Sequence, residues 1–153
     1  MYLRKGDTMK IYQGKTFEVV FCEWNQEFPG YTIISCSKEN LSSLNDEDWI
    51  ELGRIEKELE RTIKKVFDAT MFNFVCLMND AYRDGNTPHV HWHLTPRYKG
   101  ERSFFGKKYT DVHFGENFRK YALDSDKRQK DIFTDEEKNK MLEMVQKEFN
   151  IKD

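Results

Sequence analysis

The stretch HVHWHLTPR, at residues 89–97, decides the fold prediction. Its polar and apolar side chains alternate, and a period of two predicts a β-strand whose successive side chains point to opposite faces. His89, His91 and His93 would then share one face, with about 7 Å from one to the next. The apolar side chains between them would face the core.

Three imidazoles on one strand face have three interpretations. The first is a solvent-exposed strand that happens to use histidine, although the whole chain has only 4 histidines. The second is a zinc site that takes a further ligand from His113 or a carboxylate. The third is nucleophilic catalysis, in which one imidazole attacks phosphorus and its neighbours donate hydrogen bonds to the phosphate oxygens and the leaving group.

Further strands are predicted around this motif. Residues 16–24 (TFEVVFCEW) and 31–35 (YTIIS) are rich in β-branched and aromatic side chains, and residues 71–78 (MFNFVCLM) form an apolar run typical of a buried strand. Residues 79–88 are predicted to be a loop, with its tightest turn at the sequence DGN. A loop of this length makes the two strands that it joins antiparallel neighbours.

Two amphipathic helices are also predicted. Asn45 caps the first, which runs to about residue 69 with apolar residues spaced three and four apart. Thr134 and Glu137 form a capping box for the second. Residues 98–133 have a weaker pattern, with a short helix near residues 116–121. The element order predicts an α+β fold: an antiparallel meander sheet with a long helix packed on it and a C-terminal helix.

Composition and charge narrow the class of protein. The length of the chain predicts one domain over residues 1–153, and we expect its core at about 10–99 and a C-terminal extension at 100–153. A net charge of −2 does not suit a nucleic-acid-binding protein, and the apolar runs are too short to cross a membrane. Whether the chain starts at Met1 or Met9, no secretory signal is recognisable. Three separate cysteines without a CxxC pair predict reduced core thiols in a cytoplasmic protein: Cys22, Cys36 and Cys76.

The motif HVHWHLTPR resembles the signature of the histidine triad (HIT) superfamily, in which three histidines alternate with apolar residues. Its continuation with Pro-Arg is similar to the branch of the fragile histidine triad protein and dinucleoside polyphosphate hydrolases. FPGYTIIS, at 28–35, resembles the Pro-Gly-His strand of the family, and LSSLNDEDWIELGRI, at 41–55, resembles the segment leading into its long helix. The resemblance covers residues 16–99 and implies a HIT-like fold.

The resemblance also implies roles for single residues. His91 would be the nucleophile, His93 a donor to phosphate oxygens and the leaving group, and His89 an orienting residue. Candidate contacts to the nucleotide and its phosphates are Asn79, Asn86, Glu23 and Arg97. No residue is assigned as a metal ligand.

The implied activity is hydrolysis at the α-phosphate of dinucleoside polyphosphates or related nucleotide conjugates, through a nucleotidyl-histidine intermediate. The alternatives are a nucleotide-binding module with little turnover, a nucleoside phosphoramidase and a nucleotidyltransferase. The triad requires no cofactor, although a divalent cation could accompany a polyphosphate substrate. The expected partners are the nucleotide substrate and a second copy of the chain in a homodimer, with no membrane and no nucleic acid.

Two positions bear on the chemistry. Tyr31 stands where many family members have a fourth histidine that orients the triad, so its presence could slow catalysis or shift the relay to another group, His113 being one candidate. His93 stands where the branch resembling galactose-1-phosphate uridylyltransferase has glutamine, which favours hydrolysis over transfer. Outside the resemblance, a basic cluster either grips a polyphosphate or is a solvated loop: Arg102, Lys107 and Lys108.

Overall fold

A computed structural model describes residues 9–152 and shows an antiparallel five-stranded sheet. The strands, in chain order, are β1 (Lys10–Gln13), β2 (Glu18–Phe21), β3 (Thr32–Ser35), β4 (Met71–Cys76) and β5 (His91–Arg97). Their order across the sheet is β1-β2-β3-β5-β4. The first three strands form a meander, and β5 inserts between β3 and β4. The predicted α+β fold is thereby confirmed, while the choice between Met1 and Met9 involves residues outside the described range.

The predicted long helix, α1 (Asp46–Phe67), is confirmed together with its cap. The Asn45 side chain accepts from the Asp48 backbone N–H at 2.9 Å, and the Asp48 carboxylate accepts from the Asn45 backbone N–H at 2.8 Å. This reciprocal capping box satisfies two N–H groups that the first helical turn leaves free. The second predicted capping box, between Thr134 and Glu137, opens α3 (Asp135–Glu148).

The core lies between one face of the sheet and the two long helices. Trp92 of β5 contacts Phe17 and Trp49, with ring centroids 6.2 and 6.0 Å away. The C-terminal third belongs to the same core, to which it contributes Tyr109, Phe133, Met141, Leu142 and Val145. The three cysteines are free thiols, two of them buried. Among the helices of the described chain, none is long and apolar enough to span a membrane.

The loop predicted at residues 79–88 is partly helical. The structure has a short helix there, α2 (Asn79–Asp84), which ends where Gly85 adopts a left-handed φ of 69°. A helix of six residues is too short to show apolar periodicity, so the sequence pattern missed it. The predicted turn is confirmed by Gly85, which has no Cβ to oppose that conformation.

Residues 98–133 contain a hairpin that the sequence pattern did not predict. Its strands are β6 (Glu101–Phe104) and β7 (Lys107–Thr110). The two-residue turn between them has positive φ at both Phe105 (52°) and Gly106 (76°). Such turns usually carry Asn-Gly or Asp-Gly, so a Phe-Gly turn gives a weak signal. The short helix expected near residues 116–121 is a single 3-10 turn, Phe118–Tyr121.

A buried ion pair fastens the segment after β7 to the sheet. Arg97 of β5 is 1% exposed, and its Nε donates to Asp111 Oδ2 at 2.7 Å while its Nη2 donates to Asp111 Oδ1 at 3.1 Å. Its remaining N–H groups donate to Asn73 Oδ1 at 3.1 Å, the Glu116 carbonyl at 3.0 Å and the His113 carbonyl. All five N–H donors of the guanidinium are therefore used inside the protein.

We expect Asp111→Ala to lower the free energy of unfolding by about 3–5 kcal/mol, because it leaves the buried Arg97 guanidinium without its counter-ion. Chemical denaturation measures this change. Asp126→Ala, at an exposed position, is the matched control and should change stability by less than about 0.5 kcal/mol. Similar losses in both variants would contradict the anchoring role of the pair.

Candidate active site

The three histidines lie side by side on one face of the sheet. The centroids of the His89 and His91 rings are 5.0 Å apart, and those of His91 and His93 are 5.1 Å apart. His89 precedes the first residue of β5, but Val90 still pairs with the segment that follows β3, donating its N–H to the Lys38 carbonyl at 2.7 Å. The alternation of the strand therefore extends to His89, as the sequence predicted.

A hydrogen bond to the backbone fixes the protonation of His91. Its Nδ1 lies 3.0 Å from the His89 carbonyl oxygen. A carbonyl only accepts, so Nδ1 carries the proton and Nε2 of the neutral ring keeps its lone pair. Burial is the main cause that lowers the pKa of His91 below its usual 6.5, so the ring is neutral near pH 7. His91 thus has the electronic form of a nucleophile.

His93 is held by Tyr31 rather than by another histidine. The Tyr31 hydroxyl is 2.5 Å from His93 Nδ1, and the two rings are within 4° of parallel with centroids 6.0 Å apart. These distances place the rings edge to edge rather than face to face. A phenol O–H is a stronger acid than a neutral imidazole N–H, so the hydroxyl is the favoured donor. Nε2 of His93 then carries the proton and can donate to a ligand.

His93 is neutral near pH 7 as well. Burial is the first cause, and repulsion from His91 when that ring is protonated and from the Arg119 charge adds to it, so that the pKa of His93 falls from 6.5 to about 4. The carboxylate of Asp80 acts in the opposite direction on both rings. The site therefore pairs one ring with a free Nε2 lone pair and one ring with a free Nε2–H.

The other residues predicted to contact a ligand lie near the ends of β2 and α2. Glu23 is half-buried just beyond β2, where the preceding residue, Cys22, donates its N–H to the Tyr31 carbonyl at 3.2 Å. Asn79 begins α2, and its side chain lies outside what the structure describes. Asn86 is exposed and follows α2, and its backbone N–H donates to the Ala81 carbonyl within that helix at 3.0 Å. The ligand contacts of these residues stay predictions.

The structure corrects the expectation for Arg97. All of its N–H groups bind Asp111, Asn73 and two carbonyls, and its guanidinium also packs on the Phe118 ring, 4.8 Å from the ring centroid. No donor remains for a phosphate. Arg97 positions the segment beside the histidines instead of contacting a ligand.

His113 does not replace the fourth histidine. Its Nε2 lies 2.5 Å from the Lys127 carbonyl, and its ring stacks on Tyr121 with centroids 3.8 Å apart. Tyr31 itself contacts the triad, through its hydroxyl and His93 Nδ1. This contact could not have been inferred from the motif, because it depends on the pairing of β3 with β5.

The structure also brings two residues that sequence reasoning did not single out, Asn73 and Arg119, into the lining of a cavity at the β4 edge of the sheet. Asn73 had a weak signal, as a polar residue inside an apolar run, whereas Arg119 lies in a stretch with no motif. The basic cluster predicted as an alternative phosphate grip is paired within the protein. Its ion pairs are Arg102–Asp68, Lys107–Glu137 and Lys108–Glu101.

The described residues do not provide the set of ligands that the zinc interpretation requires. Across residues 9–152, no group of three or more His, Cys, Asp or Glu side chains is placed to hold a metal ion. Nδ1 of both His91 and His93 is already hydrogen-bonded within the protein.

The sheet order, the long helix and the three aligned histidines define the histidine triad fold. The sequence itself matches no protein-family model and no curated protein. Among solved structures, the chain is similar to a hypothetical histidine triad nucleotide-binding protein of Sulfolobus tokodaii, with a TM-score of 0.61 and 16% identity over 95% of this chain and 86% of that one. The fold resemblance indicated by the motif is thereby confirmed.

Two further structural neighbours have named activities of their own. One is the diadenosine triphosphate hydrolase of Plasmodium falciparum, with a TM-score of 0.58 and 15% identity over 92% of this chain and 76% of that one. The other is a uridylyltransferase, with a TM-score of 0.61 and 13% identity over 95% of this chain but only 43% of that one. At these identities the likeness establishes the fold.

We expect His91 and His93 to titrate below pH 6.5, with His93 near pH 4, in NMR spectra of the imidazole nitrogens. Because both pKa values are lower in the folded state, the unfolded state binds more protons between about pH 4 and 6.5. Their contribution to stability is therefore complete above pH 6.5 and is lost as the pH falls through that window. Midpoints at or above 6.5 would contradict the buried, neutral triad.

Proposed function

We propose that this protein is a nucleotide hydrolase that cleaves at the α-phosphate and forms a covalent nucleotidyl-His91 intermediate. The observation that carries the proposal is the hydrogen bond from His91 Nδ1 to the His89 carbonyl. It leaves the lone pair on Nε2, on the open face of the sheet, in a ring that is neutral near pH 7. The dinucleoside polyphosphates are the favoured substrates.

In the first step, His91 Nε2 attacks the α-phosphorus. An N–P bond forms, the P–O bond to the leaving group breaks, and the leaving oxygen keeps the electron pair. The Nε2–H of His93 donates a hydrogen bond to that oxygen as its charge develops. The modified His91 ring is cationic and still donates through Nδ1, so its bond to the His89 carbonyl becomes charge-assisted and stronger.

In the second step, water attacks the same phosphorus. A new P–O bond forms, the N–P bond breaks, and its electron pair returns to His91 Nε2. The proton that water loses passes to the solvent or to the departed polyphosphate. The products are a nucleoside monophosphate and the unmodified enzyme.

A polyphosphate suits this site better than an amine as the leaving group. Because His93 is neutral near pH 7, it acts on the leaving group as a hydrogen-bond donor and only a weak acid. A phosphate oxygen can leave as an anion, whereas an amine must be protonated in order to leave. The nucleoside phosphoramidase alternative is therefore the less favoured one.

The nucleotide contacts proposed from the family resemblance fit beside these steps. Glu23 would accept from ribose hydroxyls, and Asn79 and Asn86 would donate to phosphate or bridging oxygens. A divalent cation would accompany the polyphosphate substrate and is not held by the triad. We further propose a homodimer and a cytoplasmic location.

The second candidate function is a nucleotide-binding module with little turnover. Tyr31 favours it, because a phenol replaces the fourth histidine in contact with the triad. The charge states of a phenol differ from those of an imidazole, since a phenol near pH 7 donates a hydrogen bond but does not become a cation. Tight AMP binding without release of AMP from any substrate would support this alternative over the hydrolase.

We expect His91→Ala to lower the rate of AMP release from diadenosine triphosphate by at least about 10³-fold, because it removes the nucleophile. Chromatography of the products measures the rate, and AMP binding should survive. His113→Ala is the matched control, since it removes an imidazole outside the triad and should retain activity. Intact mass spectrometry after rapid quenching should show one nucleotidyl group on the wild type and none on His91→Ala. Full activity of His91→Ala would overturn the proposal.

We expect Tyr31→Phe to lower kcat about 10-fold, the effect of losing one hydrogen bond to a catalytic ring. The variant should also shift the pH profile of kcat/KM, because the protonation of His93 is no longer fixed from Nδ1. Tyr31→His, which restores a ring N–H donor, should recover most of the activity. An unchanged rate and pH profile in Tyr31→Phe would show that the contact plays no part in turnover.

A further inference from the structure

A cavity of about 570 Å³ lies between β4 and the segment of residues 115–119. This volume is within the range of ordinary ligand pockets. Its floor is β4 together with Arg97, and its opposite wall contains Asn117, Phe118 and Arg119. Residues 115–119 belong to the part of the chain for which the sequence pattern predicted least.

The strand register places this cavity beside the histidine triad. Val75 of β4 is directly opposite His93 of β5, and Asn73 is directly opposite Thr95. Residues opposite each other in an antiparallel pair point to the same face. The side chains of Val75 and Asn73 therefore continue the histidine face toward the edge of the sheet. A ligand that reaches His93 from this edge would pass through the cavity.

Two side chains of the cavity, Asn73 and Arg119, present hydrogen-bond donors. Asn73 Oδ1 accepts from Arg97, which can only donate, so the two N–H groups of the Asn73 amide are directed elsewhere. Arg119 is exposed, and within the described residues 9–152 no carboxylate pairs with its guanidinium. The charge of Arg119 also contributes to the low pKa of His93, in agreement with the position of the cavity next to the triad.

The acidic residue in the wall is already neutralised. The Glu116 carboxylate accepts from the Tyr121 hydroxyl at 2.8 Å and pairs with Lys120 Nζ at 2.9 Å. Arg119 is therefore the charge without a counter-ion in this wall, and the cavity has a net positive character. An anionic ligand would supply the missing counter-ion.

The wall is held in place by the anchor described for Arg97. The Glu116 carbonyl accepts from the Arg97 guanidinium, and the Phe118 ring packs against both that guanidinium and the Phe28 ring, with ring centroids 4.6 Å apart. Because all of these contacts are made within the protein, the wall is preorganised and needs little ordering when a ligand arrives.

We infer that this cavity is the subsite for the leaving group, and that it selects an anionic, phosphate-bearing leaving group through Arg119 and the Asn73 amide. The inference rests on the proposed hydrolase function and refines it. The nucleoside monophosphate half would lie over His91, and the departing polyphosphate would extend past His93 into the cavity. Arg119 is then a specificity-determining residue that contacts the departing phosphates.

The test compares two substrates that yield the same AMP. Diadenosine triphosphate releases anionic ADP as its leaving group, whereas adenosine 5′-phosphoramidate releases ammonia. We expect Arg119→Ala to lower kcat/KM for diadenosine triphosphate about 10- to 100-fold and to change kcat/KM for the phosphoramidate less than about twofold. Arg119→Lys, which keeps the charge, should recover part of the loss. Arg54→Ala, which removes an exposed guanidinium on α1, is the matched control.

Each kinetic outcome has one meaning. A loss confined to diadenosine triphosphate supports the subsite. Equal losses with both substrates would overturn it, because Arg119 would then act on the AMP half or on His93 itself. No loss with either substrate would also overturn it. His91→Ala, measured in parallel, tests the proposed function separately, since it should abolish AMP release from both substrates.

A binding measurement keeps the subsite testable if neither substrate turns over. Inorganic tripolyphosphate is titrated calorimetrically into wild-type protein and into the two arginine variants at about 0.15 M salt. We expect Arg119→Ala to weaken binding at least about 10-fold and Arg54→Ala to leave it unchanged. Binding that is equal in all three proteins would overturn the subsite, whatever the activity results show.

Discussion

The two-residue repeat of β5 is the constraint on which both the core and the site depend. It directs Trp92 and Leu94 to the helices and His91 and His93 to the open face. A slip of one residue in the pairing of β5 with β3 or β4 would bury the imidazoles and expose the apolar side chains. The packing that stabilises the sheet therefore also sets the alignment of the histidines. The same repeat places Arg97 on the histidine face, where its guanidinium donates hydrogen bonds to the segment that forms the cavity wall.

Much of the fold was predictable because its elements have strong local signals. The capping residues Asn45 and Thr134 marked the starts of α1 and α3, and the apolar run at residues 71–78 marked β4. The signals failed where structure depends on distant contacts. The β6–β7 hairpin turns at Phe-Gly, and β1 is four residues long, so neither has a pattern that stands out locally.

The site was predictable to the extent that it lies on one strand. His89, His91 and His93 share a face because of a period that the sequence displays. Arg97 belongs to the same motif, but its burial depends on Asp111, which lies 14 residues away, so its role as an anchor could not be inferred. The contact between Tyr31 and His93 joins residues 62 positions apart. Such pairings require the register of β3 and β5, which the motif does not specify.

The buried Arg97 has a consequence for the order in which the chain folds. Its counter-ion, Asp111, is synthesised after the whole five-stranded sheet, and until then the guanidinium stays on the open face without its ion pair. The segment that borders the histidines can therefore dock on the sheet only once Asp111 has emerged. The side chains of Tyr109, Phe133 and Met141 likewise reach the core only after the sheet has been synthesised. The surroundings of the histidine site are therefore completed late, after all three histidines have been made.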